Sequence, residues 1–244
     1  MPLGIVLVEP RHHINVGYVA RIMKNFGVSR LLMVNPIYDM EEARRYAMHG
    51  YHILETAIST NFEELRRNSR MLVGTTALKA SSRLNIVRDT ISPIRLAELI
   101  YDIPKKENIY IVFGREASGL KNSELQMCDI VLTNDTGTDY TTMNISHALA
   151  IILYEITKSD LQHTTNRVAG RNPKIARRPE TEMLIAYAAK AAEMAGYDIH
   201  KRPLLYSSLK RLLAKSNPTS KEVMLMVSLF RKVNLNMQRR LSFM

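Results

Sequence analysis

Short, wholly apolar runs alternate with segments of helical periodicity through the first part of this 244-residue chain. Residues Leu3–Val8 form such a run, and residues 15–26 then place apolar side chains three or four positions apart. Further apolar runs occupy residues 31–34, 71–73, Ile109–Phe113 and Ile130–Leu132. Strands that are apolar on both faces and alternate with helices are typical of a parallel sheet. We therefore expect an α/β domain with a parallel sheet, ending in a helix over about residues 143–157.

After this domain the apolar rhythm stops. Residues 158–178 are polar and basic and contain a glycine and a proline, which is typical of a linker. Pro179 and Pro203 then suit the first turns of two helices, and residues 219–222 (TSKE) match the capping box of a third. We expect three parts: the α/β domain over residues 1–157, the basic linker over 158–178, and a small, basic, all-helical extension over 179–244.

Positive charge is concentrated in the last third of the chain. Residues 1–159 carry 18 basic and 17 acidic side chains, whereas residues 160–244 carry 16 basic and 6 acidic ones. Such a segment favours a polyanionic partner, most often nucleic acid, through neutralisation of phosphates, although a basic surface can also serve solubility. The candidate RNA-binding residues are Arg167, Arg171, Lys174, Arg177, Arg178, Lys201, Arg202, Lys210 and Arg211.

Composition excludes several classes of protein. The longest apolar stretch, residues 148–154, is far shorter than the roughly 18 residues of a membrane span. The N-terminus lacks the basic start of a signal peptide, and the single cysteine, Cys128, cannot form an intramolecular disulfide. We therefore expect a cytoplasmic protein with no membrane partner.

Familiar catalytic and phosphate-binding motifs are missing from the sequence. It contains no G-x-G-x-x-G, no P-loop and no G-x-S-x-G elbow. His49 and His52 could share one helix face, but no cysteine or carboxylate cluster completes a tetrahedral metal site. We expect these histidines to be ordinary surface or core residues, and the protein to bind no metal.

Three segments at predicted junctions of strands, loops and helices combine glycine, amide, hydroxyl and charged residues. They occupy residues 15–27, 113–120 (FGREASGL) and 140–148 (YTTMNISHA). In this order and spacing they resemble the three signature motifs of the SpoU-type RNA ribose 2′-O-methyltransferases, a branch of the SPOUT superfamily. They are most similar to those of the TrmJ-like group, which modifies transfer RNA. The resemblance covers about residues 3–157, and the basic helical extension also fits that group.

The resemblance implies a SPOUT-type sheet with a deep trefoil knot in roughly residues 110–157, although chains ordinarily avoid knots. It also implies a homodimer with sites near the subunit interface, and S-adenosylmethionine bound in a bent shape by the knot loops. The cofactor-binding residues carried over by motif are Thr75, Thr76, Ala77, Gly114, Glu116, Leu132, Asn134, Thr141, Thr142 and Met143.

The catalytic residues implied by the resemblance are Arg21, Asn15, Thr142 and Asn144, with Arg21 assigned to the ribose 2′-hydroxyl or its neighbouring phosphate. The methyl group of a sulfonium is already activated, so the enzyme must align the 2′-hydroxyl and help to remove its proton. Because a guanidinium hardly deprotonates, we expect Arg21 to hold phosphate and stabilise the alkoxide. Many bacterial relatives have serine in place of Thr142, whose additional methyl group crowds the site.

Most of these residues also have a purely structural interpretation. Asn15 and Thr142 lie where helices are predicted to begin and could simply cap them. Arg21 could belong to a solvated helix face, and Gly114 could serve a turn. Glu116 could cap the helix that follows it. Their joint occurrence at three strand ends of one domain favours the functional interpretation.

The sequence therefore predicts methyl transfer from S-adenosylmethionine to a ribose 2′-hydroxyl of tRNA. By resemblance to the TrmJ-like group, the expected target is nucleotide 32 of the anticodon loop. Two alternatives stay open at this point: a non-catalytic basic RNA-binding protein on a knot scaffold, and the same chemistry on ribosomal RNA.

Overall fold

A computed structural model of the chain describes residues 3–77, 90–101, 103–104, 106–165 and 174–241. The chain divides into two compact units, Met1–Ala169 and Gly170–Met244. Arg167 and Arg171 of the predicted RNA-binding set lie outside the described residues. No helix among the described residues is both long enough and apolar enough to cross a membrane.

Within the described part of the first unit, seven strands form one sheet, and all of their pairings are parallel. The strands are β1 (Leu3–Val8), β2 (Arg30–Val34), β3 (Ile58–Ser59), β4 (Met71–Thr75), β5 (Thr90–Ile91), β6 (Ile109–Phe113) and β7 (Ile130–Leu132). Their order across the sheet is β3-β2-β1-β6-β4-β7-β5. The predicted parallel α/β fold is confirmed. β3 and β5 were not predicted, because strands of two residues at the edges of a sheet leave no apolar run.

In the described part of the first unit, six α-helices lie between strands along the chain and a seventh follows β7. They are α1 (His13–Asn25), α2 (Met40–Ala47), α3 (Tyr51–Glu55), α4 (Phe62–Asn68), α5 (Pro93–Tyr101), α6 (Asn122–Met127) and α7 (Ile145–Thr165). α7 continues beyond its predicted end near Thr157, so the first part of the predicted linker is helical. Polar residues alone do not end a helix, and the sequence contains no glycine or proline between Thr157 and residue 170.

The core of this unit lies around the central strands. Every residue of β1 and β6 is buried. Val6, Leu72 and Val112 pack in one buried cluster with Leu65 of α4 and Leu125 of α6. The sheet interior is therefore fixed by packing, and the loops at its carboxyl edge are carried on a rigid base.

The second unit is helical, as predicted, with α8 (Arg178–Met194), α9 (Arg202–Ser216) and α10 (Ser220–Leu241). The predicted capping box at α10 is confirmed: Thr219 N donates to a Glu222 carboxylate oxygen at 2.7 Å, and Glu222 N donates to Thr219 Oγ1 at 3.3 Å. Leu184, Val223 and Val227 form the centre of a small apolar core.

Candidate functional site

A cavity of about 490 Å³ opens at the carboxyl ends of β4, β6 and β7. Its wall consists of the residues after β4, the loop 114–120 (hereafter the β6 loop), the loop 133–144 (the β7 loop), and the first turns of α1 and α7. Ligands of parallel α/β sheets bind beyond the carboxyl ends of the strands. The volume falls in the range of roughly 300–1,000 Å³ that is typical of small-molecule sites.

The structure brings the catalytic and cofactor-binding candidates to this cavity, with the exception of Arg21. Those that line it are Asn15, Thr75, Thr76, Ala77, Gly114, Glu116, Leu132, Asn134, Thr141, Thr142, Met143 and Asn144. Sequence reasoning did not single out Ser118 and Tyr140, which also line the cavity. Both residues lie inside motif segments that the sequence analysis had identified, and this position was the available indication of their role.

The β6 loop turns tightly around Gly114. Arg115 N donates to Gly119 O at 3.2 Å, and Gly119 N donates to Arg115 O at 2.8 Å. A Cβ on Gly114 would lie 2.1 Å from the carbonyl carbon of Gly119, so the turn requires glycine there. A turn this close places backbone, rather than side chains, at the cavity wall.

Arg115 anchors the β6 loop through two carboxylates. Its Nε and Nη2 donate to Glu9 at 2.9 and 2.6 Å, and its Nη1 and Nη2 donate to Glu124 at 3.0 and 2.9 Å. Only 13% of the Arg115 side chain is exposed. Glu9 follows β1 with a φ of 48°, an uncommon conformation for a residue other than glycine. The ion pairs thus connect the loop after β1, the β6 loop and α6.

These contacts perturb the pKa of both acids. The hydrogen bond from Arg115 lowers the pKa of Glu9. Burial raises the pKa of Glu124, but hydrogen bonds from the Arg115 side chain and the Lys121 backbone outweigh it, so the net shift is downward. Both carboxylates are therefore held in the charged form, and Arg115 is committed to them.

Glu116 binds the beginning of α1. Its Oε1 accepts hydrogen bonds from the backbone of Arg11 at 3.4 Å and of His12 at 3.2 Å. The alternative that Glu116 caps the following helix is wrong, because Glu124 accepts from Lys121 N at 2.6 Å at the start of α6. Two adjacent residues of the β6 loop, Arg115 and Glu116, therefore hold it against the chain that leads into α1.

Asn144 joins the first turns of α1 and α7. Its Oδ1 accepts from Ser146 N and Ser146 Oγ, both at 2.8 Å, and its Nδ2 donates to Asn15 Oδ1 at 2.9 Å. Asn144, and not Thr142, is thus the cap of α7, so the capping interpretation of Thr142 is wrong. Among the described residues, the Nδ2 group of Asn15 donates to no protein acceptor, which leaves it for a ligand at the cavity.

Asn134 presents a buried acceptor without a protein donor. Its Nδ2 donates to Ala148 O at 3.1 Å, whereas its Oδ1 is buried and has no hydrogen-bond partner among the described residues. Leaving such an atom unpaired costs about 1–3 kcal/mol. Because Asn134 lines the cavity, a bound molecule with a donor group would remove that cost.

Arg21 lies outside the cavity of its own chain. It is exposed on α1, six residues after Asn15, and hence about 9 Å further along the helix axis. It takes part in none of the ion pairs found among the described residues. Within one chain, the structure therefore matches the interpretation of Arg21 as part of a solvated helix face.

The predicted RNA-binding residues of the second unit differ in exposure. Lys174, Arg177 and Lys201 are exposed, and Arg202 is half-buried and donates to Tyr197 O at 3.1 Å. Arg178, Lys210 and Arg211 are buried, contrary to the expectation that they reach phosphates from the surface. The sequence did not indicate which face of each helix points inward. Among the described residues, no group of three or more histidines, cysteines or acids is placed to hold a metal ion.

Comparisons with known proteins agree with this geometry. Residues 2–154 match the model of a family described as the SpoU rRNA methylase family. The chain is 33% identical over 232 residues to the tRNA (cytidine-2′-O-)-methyltransferase TrmJ of Methanocaldococcus jannaschii, covering 94% of this chain and 98% of the relative. It is 29% identical over 244 residues to the protein of the same name from Sulfolobus acidocaldarius, covering 98% and 97%.

A solved structure shows the same fold. The structure of a probable methylase family protein from Haemophilus influenzae aligns with a TM-score of 0.65 at 25% identity and covers 99% of this chain and 98% of that one.

Proposed function

The chain belongs to the SpoU methylase family, and on that premise we propose that it transfers a methyl group from S-adenosylmethionine to a ribose 2′-hydroxyl of tRNA. Membership in a methylase family makes the protein an enzyme rather than the non-catalytic RNA-binding protein considered above. The observation that carries the proposal is that residues of all three motif segments line the same cavity. tRNA is favoured over ribosomal RNA because relatives named for tRNA methylation align with nearly the whole chain, including the helical extension.

The cavity fits the proposed cofactor in three respects. The volume of the cavity suits a molecule of the size of S-adenosylmethionine. The tight turn at Gly114 exposes backbone against which a ribose and an adenine can lie. Asn134 Oδ1 is an unpaired acceptor that a donor group of the cofactor can bind. We assign the binding of S-adenosylmethionine to the predicted set that lines the cavity, from Thr75 to Met143. When bound, the cofactor supplies a methyl group activated by its sulfonium centre.

The residues of the chain act mainly by alignment. Among the residues that the structure describes, the titratable side chains that line the cavity are Arg115, Glu116 and Tyr140, and the first two are committed to internal hydrogen bonds. We therefore assign proton removal from the 2′-hydroxyl to water, with Asn15, Asn144 and the Thr142 hydroxyl orienting the ribose. Holding two reactants in line contributes a large share of the rate in such a reaction.

We propose that Arg21 reaches the site of a second copy of the chain in a homodimer. α1 and α7 expose large apolar side chains: Ile14 is 40% exposed, Ile151 41% and Tyr154 54%. Burial of these side chains against a second copy would stabilise a dimer. Arg21, which lies outside the cavity of its own chain, would then reach the ribose and phosphate of the RNA bound at the cavity of the second copy. Sedimentation should show a dimer, and Ile151→Asp should dissociate it.

The strand order supports the proposed trefoil knot. Among the described strands, β4 and β5 are consecutive along the chain but are separated in the sheet by β7, and β6 and β7 lie on opposite sides of β4. We propose that roughly residues 110–157 form a deep trefoil knot, which makes this chain an exception to the rule against knots.

Nucleotide 32 of the anticodon loop is the proposed target, in a cytoplasmic enzyme. In the extension, the exposed Lys174, Arg177 and Lys201 would hold tRNA through phosphates, which position an RNA without specifying its sequence. Replacing all three with alanine should weaken tRNA binding and reduce the slope of log affinity against log salt by about 0.9 per lost contact. An unchanged salt slope would exclude these residues from the RNA interface.

Incubation with methyl-labelled S-adenosylmethionine and unmodified tRNA tests the proposal directly. We expect one labelled nucleotide at position 32, with the methyl group on the ribose as identified by nuclease digestion and mass spectrometry. Label on a base, label in ribosomal RNA only, or no transfer by protein that binds the cofactor would each contradict it.

A further inference from the structure

Tyr140 stands out among the residues that line the cavity. Its side chain is 80% exposed, the largest exposure of any large hydrophobic side chain in the described part of the chain. It nevertheless belongs to the wall of the cavity and lies two residues before Thr142 and four before Asn144. An aromatic ring is thus presented to solvent at the entrance of the site.

The exposure is imposed by a structured loop. Asp135 Oδ1 accepts from Gly137 N at 3.1 Å, and the hydroxyls of Thr136 and Thr138 lie 3.0 Å apart. Thr138 Oγ1 also donates to the backbone carbonyl of Tyr140 at 3.1 Å. These contacts hold the backbone of the β7 loop and leave the Tyr140 ring without a hydrogen bond to the described residues, so the loop presents the ring instead of packing it.

We propose that the Tyr140 ring stacks on the nucleobase of the nucleotide whose ribose is methylated. The inference rests on the proposed function, because it names the base contact of the same site. Unpaired bases in RNA loops are commonly recognised by stacking on exposed aromatic side chains. The cofactor candidates that line the cavity are buried or half-buried, with the exception of Thr142, whereas Tyr140 is exposed to the solvent from which the target nucleotide must enter.

Stacking has a consequence for specificity. Every nucleobase has a π-face, so a stacking contact tolerates different bases. Tyr140 would therefore hold the base plane, and with it the ribose, without choosing between cytidine and uridine. Discrimination between the two pyrimidines would have to come from polar groups elsewhere in the cavity.

The chain contains no tryptophan, so Tyr140→Trp creates a single fluorescent reporter at the site. We expect unmodified tRNA to quench its emission, and S-adenosylhomocysteine alone to leave it unchanged. The matched control is Tyr51→Trp on α3, where Tyr51 is also exposed, at 49%, but does not line the cavity. Its emission should not respond to tRNA.

Kinetics supply a second readout. Tyr140→Ala should raise the KM for tRNA about tenfold while cofactor affinity, measured by calorimetry, stays the same. Tyr140→Phe keeps the π-face and should restore most of the lost affinity. Preserved cofactor binding also shows that the alanine variant is folded.

Three results would overturn the inference. Quenching by S-adenosylhomocysteine alone would assign Tyr140 to the cofactor. Emission that is already blue-shifted in the free protein and changes on dilution would place the ring between two copies of the chain. An unquenched Tyr140→Trp protein that still methylates tRNA would exclude the base contact while leaving the proposed function intact, whereas wild-type protein that fails to methylate tRNA contradicts the proposed function itself.

Discussion

Two loops line the same cavity and differ in how many contacts hold them in place. The β6 loop is held by the ion pairs of Arg115 with Glu9 and Glu124, by backbone hydrogen bonds across its turn, and by the hydrogen bonds of Glu116 to the start of α1. The β7 loop is anchored near its two ends by Asn134 and Asn144, and every residue between 135 and 140 is exposed.

The difference indicates a division of labour. A site that binds a small molecule benefits from groups that are already in place, because less conformational entropy is lost on binding. A site for a large RNA needs exposed groups that the RNA can reach. We infer that the β6 loop forms a fixed wall on the cofactor side of the cavity, and that the β7 loop contributes cofactor contacts near its two ends and presents its exposed middle to the RNA.

Among changes in the β6 loop, Gly114→Ala should have the largest effect on cofactor binding. The added Cβ would collide with the Gly119 carbonyl carbon at 2.1 Å, so the turn must move. We expect cofactor affinity, measured by calorimetry, to fall by at least about a hundredfold, a loss of roughly 2.7 kcal/mol. Gly27→Ala is the control: its φ of +67° is strained for alanine, but no atom lies within 4 Å of the added Cβ. It should lower stability and leave cofactor affinity unchanged.

Arg115→Gln removes the ion pairs of the β6 loop while keeping the turn. Glu9 and Glu124 would lose their partner in a largely buried environment, a change that is more costly than breaking a surface pair. We expect the melting temperature to fall by about 5 °C and the cofactor Kd to rise about tenfold. Arg95→Gln breaks the exposed Arg95–Glu98 pair and should change neither quantity measurably. Equal effects of the two variants would contradict the special role of Arg115.

The same ion pairs should appear in the pH dependence of stability. The pKa values of Glu9 and Glu124 are lowered in the folded protein, so their stabilisation is complete above the unfolded value near 4.5. It is lost as the pH falls from there through the folded values. The free energy of unfolding of the wild type, measured in urea, should therefore fall between pH 6 and pH 3. That of Arg115→Gln should fall less over the same interval. Identical pH profiles would show that Arg115 does not set these pKa values.

The sequence predicted the parts of this arrangement that depend on pattern. Apolar runs located five of the strands, and the motif segments located most of the residues that line the cavity. The pattern of apolar and polar residues does not show with which partner a polar side chain forms a hydrogen bond. Glu116 binds the start of α1 across 104 positions of sequence, and Asn144 caps a helix that Thr142 was equally suited to cap. The Glu116 pairing has no local signature, because it depends on how the strands are ordered in the sheet, whereas the cap is a local contact between Asn144 and Ser146 that depends on where the helix begins.

Variants of Asn144 distinguish its role in capping α7 from its role in orienting the ribose on the RNA side of the cavity. Asn144→Ala removes both the α7 cap and the hydrogen bond to Asn15, and should cost about 1 kcal/mol of stability together with about a tenfold loss in kcat. Asn144→Asp keeps the capping oxygen but cannot donate to Asn15, so we expect nearly full stability with a reduced kcat. Asn61→Ala removes an equivalent cap, on Glu64 N at 3.0 Å in α4, and should reproduce the stability loss without the kinetic one.

The smallest effect should follow a change in the exposed part of the β7 loop. Thr142 is exposed and lines the cavity, so Thr142→Ser removes one methyl group where no packing is lost. We expect kcat and cofactor affinity within about twofold of wild type, since a single methylene in a pocket contributes only about 1–3 kcal/mol even when it is fully used. The ratio of kcat/KM on tRNAs with cytidine or uridine at the target position is the sensitive measurement, because the methyl group narrows the space beside the ribose. Thr142→Val keeps the volume and removes the hydroxyl. If it matches Thr142→Ser in kcat, the hydroxyl has no part in orienting the ribose, and the β7 loop acts there through shape alone.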